Sequence, residues 1–188
     1  MDTHRALRHG TPKRLVLVGM MGSGKTTIGR LLSERTGWPY ADNDELVRRT
    51  SGREPAEVRA TDGEEALHQL ESTALVEALR LPPPSLIGAA ASVITDEPTV
   101  AIIHDSASVV WLRARPETLR LRIGTGEGRR AEATDLTWLA QQAASRETAY
   151  TRLADLIIDV DDIPPAETVE VILAWLRAVE RPAVESGP

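Results

Sequence analysis

This sequence of 188 residues contains no cysteine and no phenylalanine, and aromatic residues make up only 3% of it. Without cysteine, neither a disulfide nor a thiolate metal site can form. Leucine, isoleucine, valine and four tryptophans must therefore supply the large side chains of the core. The absence of disulfides agrees with a reducing compartment, so we expect the protein in the cytoplasm.

The sequence also lacks a long apolar run and an excess of basic residues. No stretch approaches the roughly 18–20 apolar residues that a membrane span needs. The net charge of −6 argues against a broad surface for polyanions. We therefore expect no membrane or nucleic-acid partner, and we also expect a monomer. A small anionic ligand needs only a local basic site, which this charge does not exclude.

The length and a hydrophobic content of 41% fit one domain with a sizeable core. The polar residues 1–13 contain no hydrophobic signal core, and we expect them to form a flexible leader. A single domain is predicted over residues 14–180, with a flexible tail over residues 181–188.

Strand-like apolar runs alternate with helical patterns along this domain. The predicted strands are Leu15–Val18, Pro39–Ala41, Ser85–Gly88, Val109–Leu112 and Leu156–Val160. The predicted helices are Thr26–Thr36, Asp44–Thr50, Gly63–Leu79, Pro116–Ile123, Leu136–Arg152 and Pro165–Val179. This alternation predicts a three-layer α/β/α fold around a parallel sheet of about five strands.

The segment Gly19–Thr26 reads GMMGSGKT and directly follows the first apolar run. Its pattern G-x-x-x-x-G-K-T is that of a phosphate-binding loop, whose glycines turn backbone N–H groups toward an anion. Lys25 can reach the β- and γ-phosphates of ATP, and the Thr26 hydroxyl can ligate Mg²⁺. A Gly-rich turn of a Rossmann-like unit is the alternative, which the flanking strand and helix disfavour. The nucleotide-binding residues predicted from this loop are Gly22, Ser23, Gly24, Lys25, Thr26 and Thr27.

Two carboxylates, Asp42 and Asp44, follow the second predicted strand. In a parallel α/β sheet, ligands collect beyond the carboxyl ends of the strands, where the phosphate loop also lies. One carboxylate can hold metal-bound water, and the other can take the proton of a substrate hydroxyl. The alternative is that Asp42 or Asn43 only caps the helix that follows.

The segment Gly124–Arg130 has three glycines and two adjacent arginines, and it interrupts the helical pattern. We predict a short lid over about residues 124–135 that closes over a phosphate ligand. The alternative is a flexible surface loop with solvated charges.

Several segments resemble the shikimate kinase family. Residues 19–32, GMMGSGKTTIGRLL, are similar to the opening of these enzymes, and the D-x-D pair falls at the family's spacing from the loop. Residues 63–71, GEEALHQLE, resemble the family's G-E-x-x-F-R-x-x-E, and residues 146–155 resemble its R-x-x-x-Y…A-D. The resemblance extends from about residue 14 to residue 176.

The resemblance implies an ATP-dependent kinase that phosphorylates a hydroxyl of a small, anionic metabolite. Lys25 and Thr26 would hold the phosphates and Mg²⁺. Asp42 would support the metal through water, and Asp44 would bind the acceptor hydroxyl and act as the base.

The resemblance also assigns roles to arginines. Arg122 would lie against the adenine, and Arg146 would bind an acceptor carboxylate. Arg129 or Arg130 would be the catalytic arginine of the lid, and because the lid is two or three residues shorter than usual, the choice between them stays open. The alternative for Arg146 is a surface residue that pairs with a nearby acidic side chain.

The acceptor half departs from the family's pattern. His68 replaces the arginine of F-R, and histidine cannot make the same bidentate contact with a carboxylate. The family's Gly-Gly-Gly turn is here Gly88–Ala91, GAAA, and its methyl groups narrow the approach of a substrate to the backbone. A role for His68 on the helix surface is the alternative. The predicted acceptor-binding residues are Asp44, His68, Ala89, Ala90 and Arg146.

Four functions are open to such a chain. It can be a kinase for shikimate, or a gluconate-kinase-like enzyme for another hydroxylated acid. It can also be a nucleotide-binding protein without transferase activity, although such a protein would not need the predicted base. A polynucleotide 5′-kinase is disfavoured by the acidic net charge.

Overall fold

The structure is a computed structural model and describes residues 13–124 and 131–180. The strands in these ranges are β1 (Arg14–Val18), β2 (Tyr40–Ala41), β3 (Ser85–Gly88), β4 (Ser108–Arg113) and β5 (Leu156–Asp159). They form one parallel sheet in the order β2-β3-β1-β4-β5. The central strand β1 places Val16 between Ile87 of β3 and Val109 of β4. The predicted parallel sheet is confirmed.

Helices cover both faces of this sheet. They are α1 (Lys25–Thr36), α2 (Asn43–Ser51), α3 (Pro55–Asp62), α4 (Glu64–Leu79), α5 (Glu97–Ser106), α6 (Pro116–Ile123), α7 (Leu136–Leu153) and α8 (Pro165–Glu180). Short 3₁₀ turns lie at Val93–Thr95 and Ala131–Thr134. None of the helices in the described ranges has the length and apolar character to cross a lipid bilayer.

The predicted strands and helices are present with bounds that differ by at most one residue at either end, but α3 and α5 were not predicted. Helix α3 has eight residues, and Val58 is its one buried side chain. A single apolar contact leaves no period of 3.6 in the sequence, so the pattern gives no helix there. Helix α5 is capped by Asp96, whose side chain accepts a hydrogen bond from the Thr99 N–H, a signal that the sequence does contain.

Two apolar clusters lie on opposite faces of the sheet. Along β1, Val16 and Val18 belong to one cluster and Leu15 and Leu17 to the other, and all four side chains are fully buried. Alternation of this kind is expected for a strand that is covered on both sides. The clusters therefore fix β1, and with it the loop that follows β1 toward the ligand-binding edge.

The ring of Tyr40 fills a tight space between the edge of the sheet and α1. A Cβ atom at Gly29 would collide with this ring, and one at Gly88 would collide with its hydroxyl. Glycine at both positions leaves room for the ring beside the backbone of α1 and for its hydroxyl beside β3. The Tyr40 hydroxyl can then donate a hydrogen bond to Asp42 Oδ2 at 3.0 Å.

We expect Gly29→Ala to lower the free energy of unfolding by about 1–3 kcal/mol, because the added methyl group must displace the Tyr40 ring. Chemical denaturation of the purified protein measures this loss. Glu34→Ala, at an exposed position of the same helix, is the control and should stay within about 0.5 kcal/mol of the wild type. Equal stability of Gly29→Ala and Glu34→Ala would contradict the packing argument.

Candidate active site

The phosphate loop joins the end of β1 to the start of α1. Gly22 and Gly24 have φ angles of 83° and 99°, in the left-handed region that favours glycine. A side chain at Gly22 would also come within 2.9 Å of the Leu119 carbonyl oxygen. The free N–H groups at the start of α1 and the positive end of its dipole face the same loop. The backbone therefore has the form of an anion-binding nest.

Lys25 bends back over this loop. Its ammonium group donates to the carbonyl oxygens of Gly19 at 2.7 Å and Met20 at 3.1 Å. Burial lowers the pKa of Lys25 to about 8, although the charges of Asp42 and Asp44 act in the opposite direction. The ammonium group is therefore positioned to contact a bound polyphosphate, whose negative charge would stabilise the protonated form of Lys25.

Asp42 links three neighbouring groups. Its Oδ2 atom accepts hydrogen bonds from the Thr26 hydroxyl at 2.7 Å and from the Tyr40 hydroxyl. Its Oδ1 atom accepts from the Asp44 N–H at 3.1 Å and so caps α2. Asp42 therefore caps the helix, as the alternative interpretation proposed, and also contacts the phosphate-loop threonine.

Asp44 and Glu71 bring two further carboxyl groups to this region. Partial desolvation of the carboxyl group by the surrounding protein raises the pKa of Asp44, and the negative charge of Asp42 raises it further. Glu71 lies on α4, where burial raises the pKa of its carboxyl group although Ser92 donates a hydrogen bond to it. Raised pKa values of neighbouring carboxyl groups are characteristic of catalytic clefts.

A single cavity of about 770 Å³ joins the phosphate loop to residues of α2, α3, α4 and α7. Most of the predicted site residues in the described ranges line it: Gly22, Gly24, Lys25, Thr26, Thr27, Asp42, Asp44, His68, Ala89, Ala90, Arg122 and Arg146. Ser23 does not line the cavity, because its side chain is only 2% exposed. Its hydroxyl group has no hydrogen-bond partner among the described residues. Its backbone N–H donates to the Met20 carbonyl at 3.1 Å.

Arg146 reaches the cavity from α7. One terminal nitrogen donates to the backbone carbonyl of Gln142 at 3.2 Å and to the side-chain oxygen of the same residue. The Nε atom is buried and has no acceptor among the described residues. A guanidinium group with an unsatisfied donor at the wall of a cavity is suited to an anionic ligand.

The two departures from the family's pattern have different surroundings. The Nε2 atom of His68 lies 2.8 Å from Glu64 Oε1, one helical turn earlier on α4. Ala89 is fully buried in the core, whereas Ala90 and Ala91 are half-buried and only pack against it. The alanine turn contains no positive φ angle, because every such angle in the described residues belongs to a glycine. Methyl groups are therefore accommodated here without a left-handed backbone.

Arg122, which is predicted to lie against the adenine, lines the same cavity. Its guanidinium group donates to the Val160 carbonyl at 2.6 Å, just beyond the end of β5. The predicted lid arginines, Arg129 and Arg130, lie outside the described residues, as does half of the predicted lid, residues 125–130. After these residues, Asp135 caps α7 by accepting hydrogen bonds from the N–H groups of Thr137 and Trp138, in the first turn of the helix.

Three residues of the site were missed by the sequence analysis. Tyr40 holds Asp42 through its hydroxyl, and only the tertiary fold shows this contact. Glu71 is the last residue of the G-E-x-x-F-R-x-x-E motif, so the resemblance could have assigned it to the site. Arg59 lines the cavity from α3, the helix that the sequence pattern does not indicate.

We expect ATP binding to take up protons at a pH just above 8, because phosphate charge raises the lowered pKa of Lys25 and returns the ammonium form. Calorimetry in buffers of different ionisation enthalpy measures the uptake. Lys25→Arg is the control, since arginine stays protonated and should bind without this uptake. Binding heats of the wild type that do not depend on the buffer would contradict the prediction.

Comparisons with known proteins agree with this geometry. The chain matches the shikimate kinase family over residues 21–177. A shikimate kinase from Limosilactobacillus fermentum is 36% identical over 165 residues, which cover 87% of this chain and 95% of that protein.

Two solved structures show the same fold. A shikimate kinase from Acinetobacter baumannii in complex with shikimate superposes with a TM-score of 0.84, at 22% identity and with 92% of this chain and 97% of that one covered. A gluconokinase from Sinorhizobium meliloti gives a TM-score of 0.65 at 20% identity, with 89% and 93% covered. The matches in sequence show that the chain belongs to the shikimate kinase family of ATP-dependent phosphotransferases.

Proposed function

We propose that the protein transfers the γ-phosphoryl group of ATP to a hydroxyl group of shikimate. The observation that carries this proposal is the single cavity that contains both Lys25 of the phosphate loop and the Asp44 carboxylate, with Arg146 in its wall. These residues supply the parts that phosphoryl transfer to a carboxylate-bearing alcohol requires: a cation for the phosphates, a proton acceptor, and a cation for the acceptor's carboxylate.

In the proposed reaction the acceptor oxygen forms a bond to the γ-phosphorus as the bond to the β–γ bridging oxygen breaks. Asp44 accepts the hydroxyl proton, and its raised pKa makes it a stronger base than an ordinary aspartate. Lys25 and the loop N–H groups balance the charge on the phosphates. Arg129 or Arg130 is proposed as the lid arginine that contacts the transferred group.

Magnesium fits the residues at the start of α1. The Thr26 hydroxyl and the Asp42 carboxylate are 2.7 Å apart and offer hard oxygen ligands. No group of three acidic or histidine side chains in the described part of the chain could hold a metal ion. The phosphates of ATP and water molecules would supply the remaining ligands, as is usual for Mg²⁺. When bound, the ion would neutralise phosphate charge next to Lys25.

The acceptor is proposed from the family and from Arg146. The curated relative of 36% identity is a shikimate kinase, and a guanidinium with an unsatisfied Nε suits a carboxylate. Because His68 is held by Glu64 and the turn carries methyl groups, we expect a higher KM for shikimate than in family members with arginine and glycine at these positions. A gluconate-like sugar acid is the second candidate, since Arg146 can bind any carboxylate.

The proposal includes no nucleic-acid or membrane partner. With a net charge of −6, the chain has no excess of basic residues for a phosphate backbone or an anionic membrane surface. A monomer in the cytoplasm remains our proposal for its state in the cell.

Measurement of ADP release with ATP, Mg²⁺ and a set of acceptors tests the proposed function. The set contains shikimate, gluconate and nucleosides, and ³¹P NMR identifies the phosphorylated product. We expect ADP release and a phosphate monoester with shikimate. Turnover of gluconate or a nucleoside without turnover of shikimate would contradict the assignment of the acceptor.

We expect Asp44→Asn to reduce phosphoryl transfer by about 100-fold or more, since the amide keeps the shape of the side chain and loses the proton-accepting charge. Nucleotide affinity should stay within a few-fold of the wild type. Glu45→Gln, at the next position of α2 and exposed, is the control and should retain activity. Transfer by Asp44→Asn at nearly the wild-type rate would show that Asp44 is not the base.

A further inference from the structure

Helix α7 turns one of its faces toward the core and the active-site cavity. Four residues at spacings of three and four share this face: Leu139, Gln142, Arg146 and Tyr150. The outer two anchor the helix, because Leu139 is fully buried and the buried ring of Tyr150 stacks on that of Trp111, with centroids 5.0 Å apart. The inner two, Gln142 and Arg146, are half-buried and line the cavity. A polar pair therefore occupies the middle of a buried face where this face meets the cavity.

Gln142 accepts both hydrogen bonds that the Arg146 side chain donates within the described residues. The Nη1 atom of Arg146 bonds to the backbone carbonyl of Gln142 at 3.2 Å and to the side-chain oxygen Oε1 of the same residue. None of the ion pairs among the described residues includes Arg146. An uncharged side chain therefore holds the guanidinium group.

This contact determines which edge of the guanidinium group is left for a ligand. With Nη1 bonded to Gln142, the edge formed by Nε and Nη2 remains, and Nε has no acceptor among the described residues. Two neighbouring N–H groups of arginine match the two oxygens of a carboxylate. A glutamate in place of Gln142 could accept the same hydrogen bond from Nη1, but its negative charge would compete with that of a bound anion. Glutamine orients the cation and leaves its charge uncancelled.

We infer that Gln142 is a positioning residue for the acceptor, which orients the Arg146 guanidinium through an uncharged oxygen and so keeps the positive charge of Arg146 for an anionic substrate. The inference rests on the proposed function, because it concerns the acceptor of that reaction. Gln142 acts through Arg146, and its uncharged amide is part of what makes the site selective for a carboxylate-bearing acceptor.

A residue in this role affects the binding of an anionic acceptor more than the chemical step. Gln142→Leu removes the side-chain acceptor, so the long Arg146 side chain must be ordered when the acceptor binds, and KM for shikimate rises by about 3- to 10-fold. Gln142→Glu retains an acceptor oxygen but adds a negative charge beside the shikimate carboxylate, and KM rises by about 10- to 100-fold. The kcat value stays within a few-fold in both variants, and KM for ATP stays unchanged.

Steady-state kinetics of Gln142→Leu and Gln142→Glu, with shikimate and ATP varied in turn, test the inference. Gln141, the preceding residue of α7, is exposed and provides the matched controls. Gln141→Leu removes the same amide and Gln141→Glu adds the same charge one position away, and both should keep KM for shikimate within about 2-fold of the wild type. Circular dichroism melts confirm that each variant is folded before its kinetics are compared.

The expected result is a raised KM for shikimate in both Gln142 variants, larger in Gln142→Glu, with kcat and KM for ATP nearly unchanged. An unchanged KM for shikimate in Gln142→Leu overturns the inference and leaves the proposed function intact. A KM in Gln142→Glu no higher than in Gln142→Leu also overturns it, because the charge at this position would then not matter. Equal losses in kcat and in KM for both substrates indicate a structural role and overturn it as well. A wild type that does not phosphorylate shikimate contradicts the proposed function and this inference together.

Discussion

The carboxylate of Asp42 connects the elements from which the site is built. It accepts hydrogen bonds from Thr26 at the start of α1, from Tyr40 on β2 and from the Asp44 N–H at the start of α2. These contacts fix the distance between the phosphate loop and the helix that carries the proposed base. The contact with Tyr40 depends in turn on two glycines, Gly29 and Gly88, which leave room for its side chain. Packing at the edge of the sheet therefore helps to set the distance between the phosphate loop and the proposed base, Asp44.

Burial shifts the pKa values of the charged groups in the cavity. Burial lowers the pKa of Lys25 and raises the pKa values of Asp44 and Glu71, so that each shift favours the neutral form of its group. ATP and a carboxylate-bearing acceptor add negative charge, which stabilises the protonated lysine. The same negative charge beside Asp44 keeps its pKa raised and supports its role as a proton acceptor.

The sequence predicts the sheet, most of the helices and the two ends of the site, because these depend on apolar periodicity and on motifs of fixed spacing. Helix α3 could not be predicted, since Val58 is its one buried residue and a single contact has no period. Arg59 lies on this helix, so its position in the wall of the cavity was not predicted either. The contact of His68 with Glu64 follows from their spacing of four residues on a helix, whereas the contact of Tyr40 with Asp42 depends on tertiary packing.

The central claim is that one cavity holds the phosphates against Lys25 and the acceptor hydroxyl against Asp44. A crystal structure of the wild-type enzyme with ADP, Mg²⁺ and shikimate tests it most directly. The account predicts the β-phosphate of ADP on the loop N–H groups, a shikimate hydroxyl within hydrogen-bond distance of the Asp44 carboxylate, and the shikimate carboxylate at Arg146. Shikimate bound outside this cavity, or bound with all its hydroxyl groups turned away from Asp44, would contradict it.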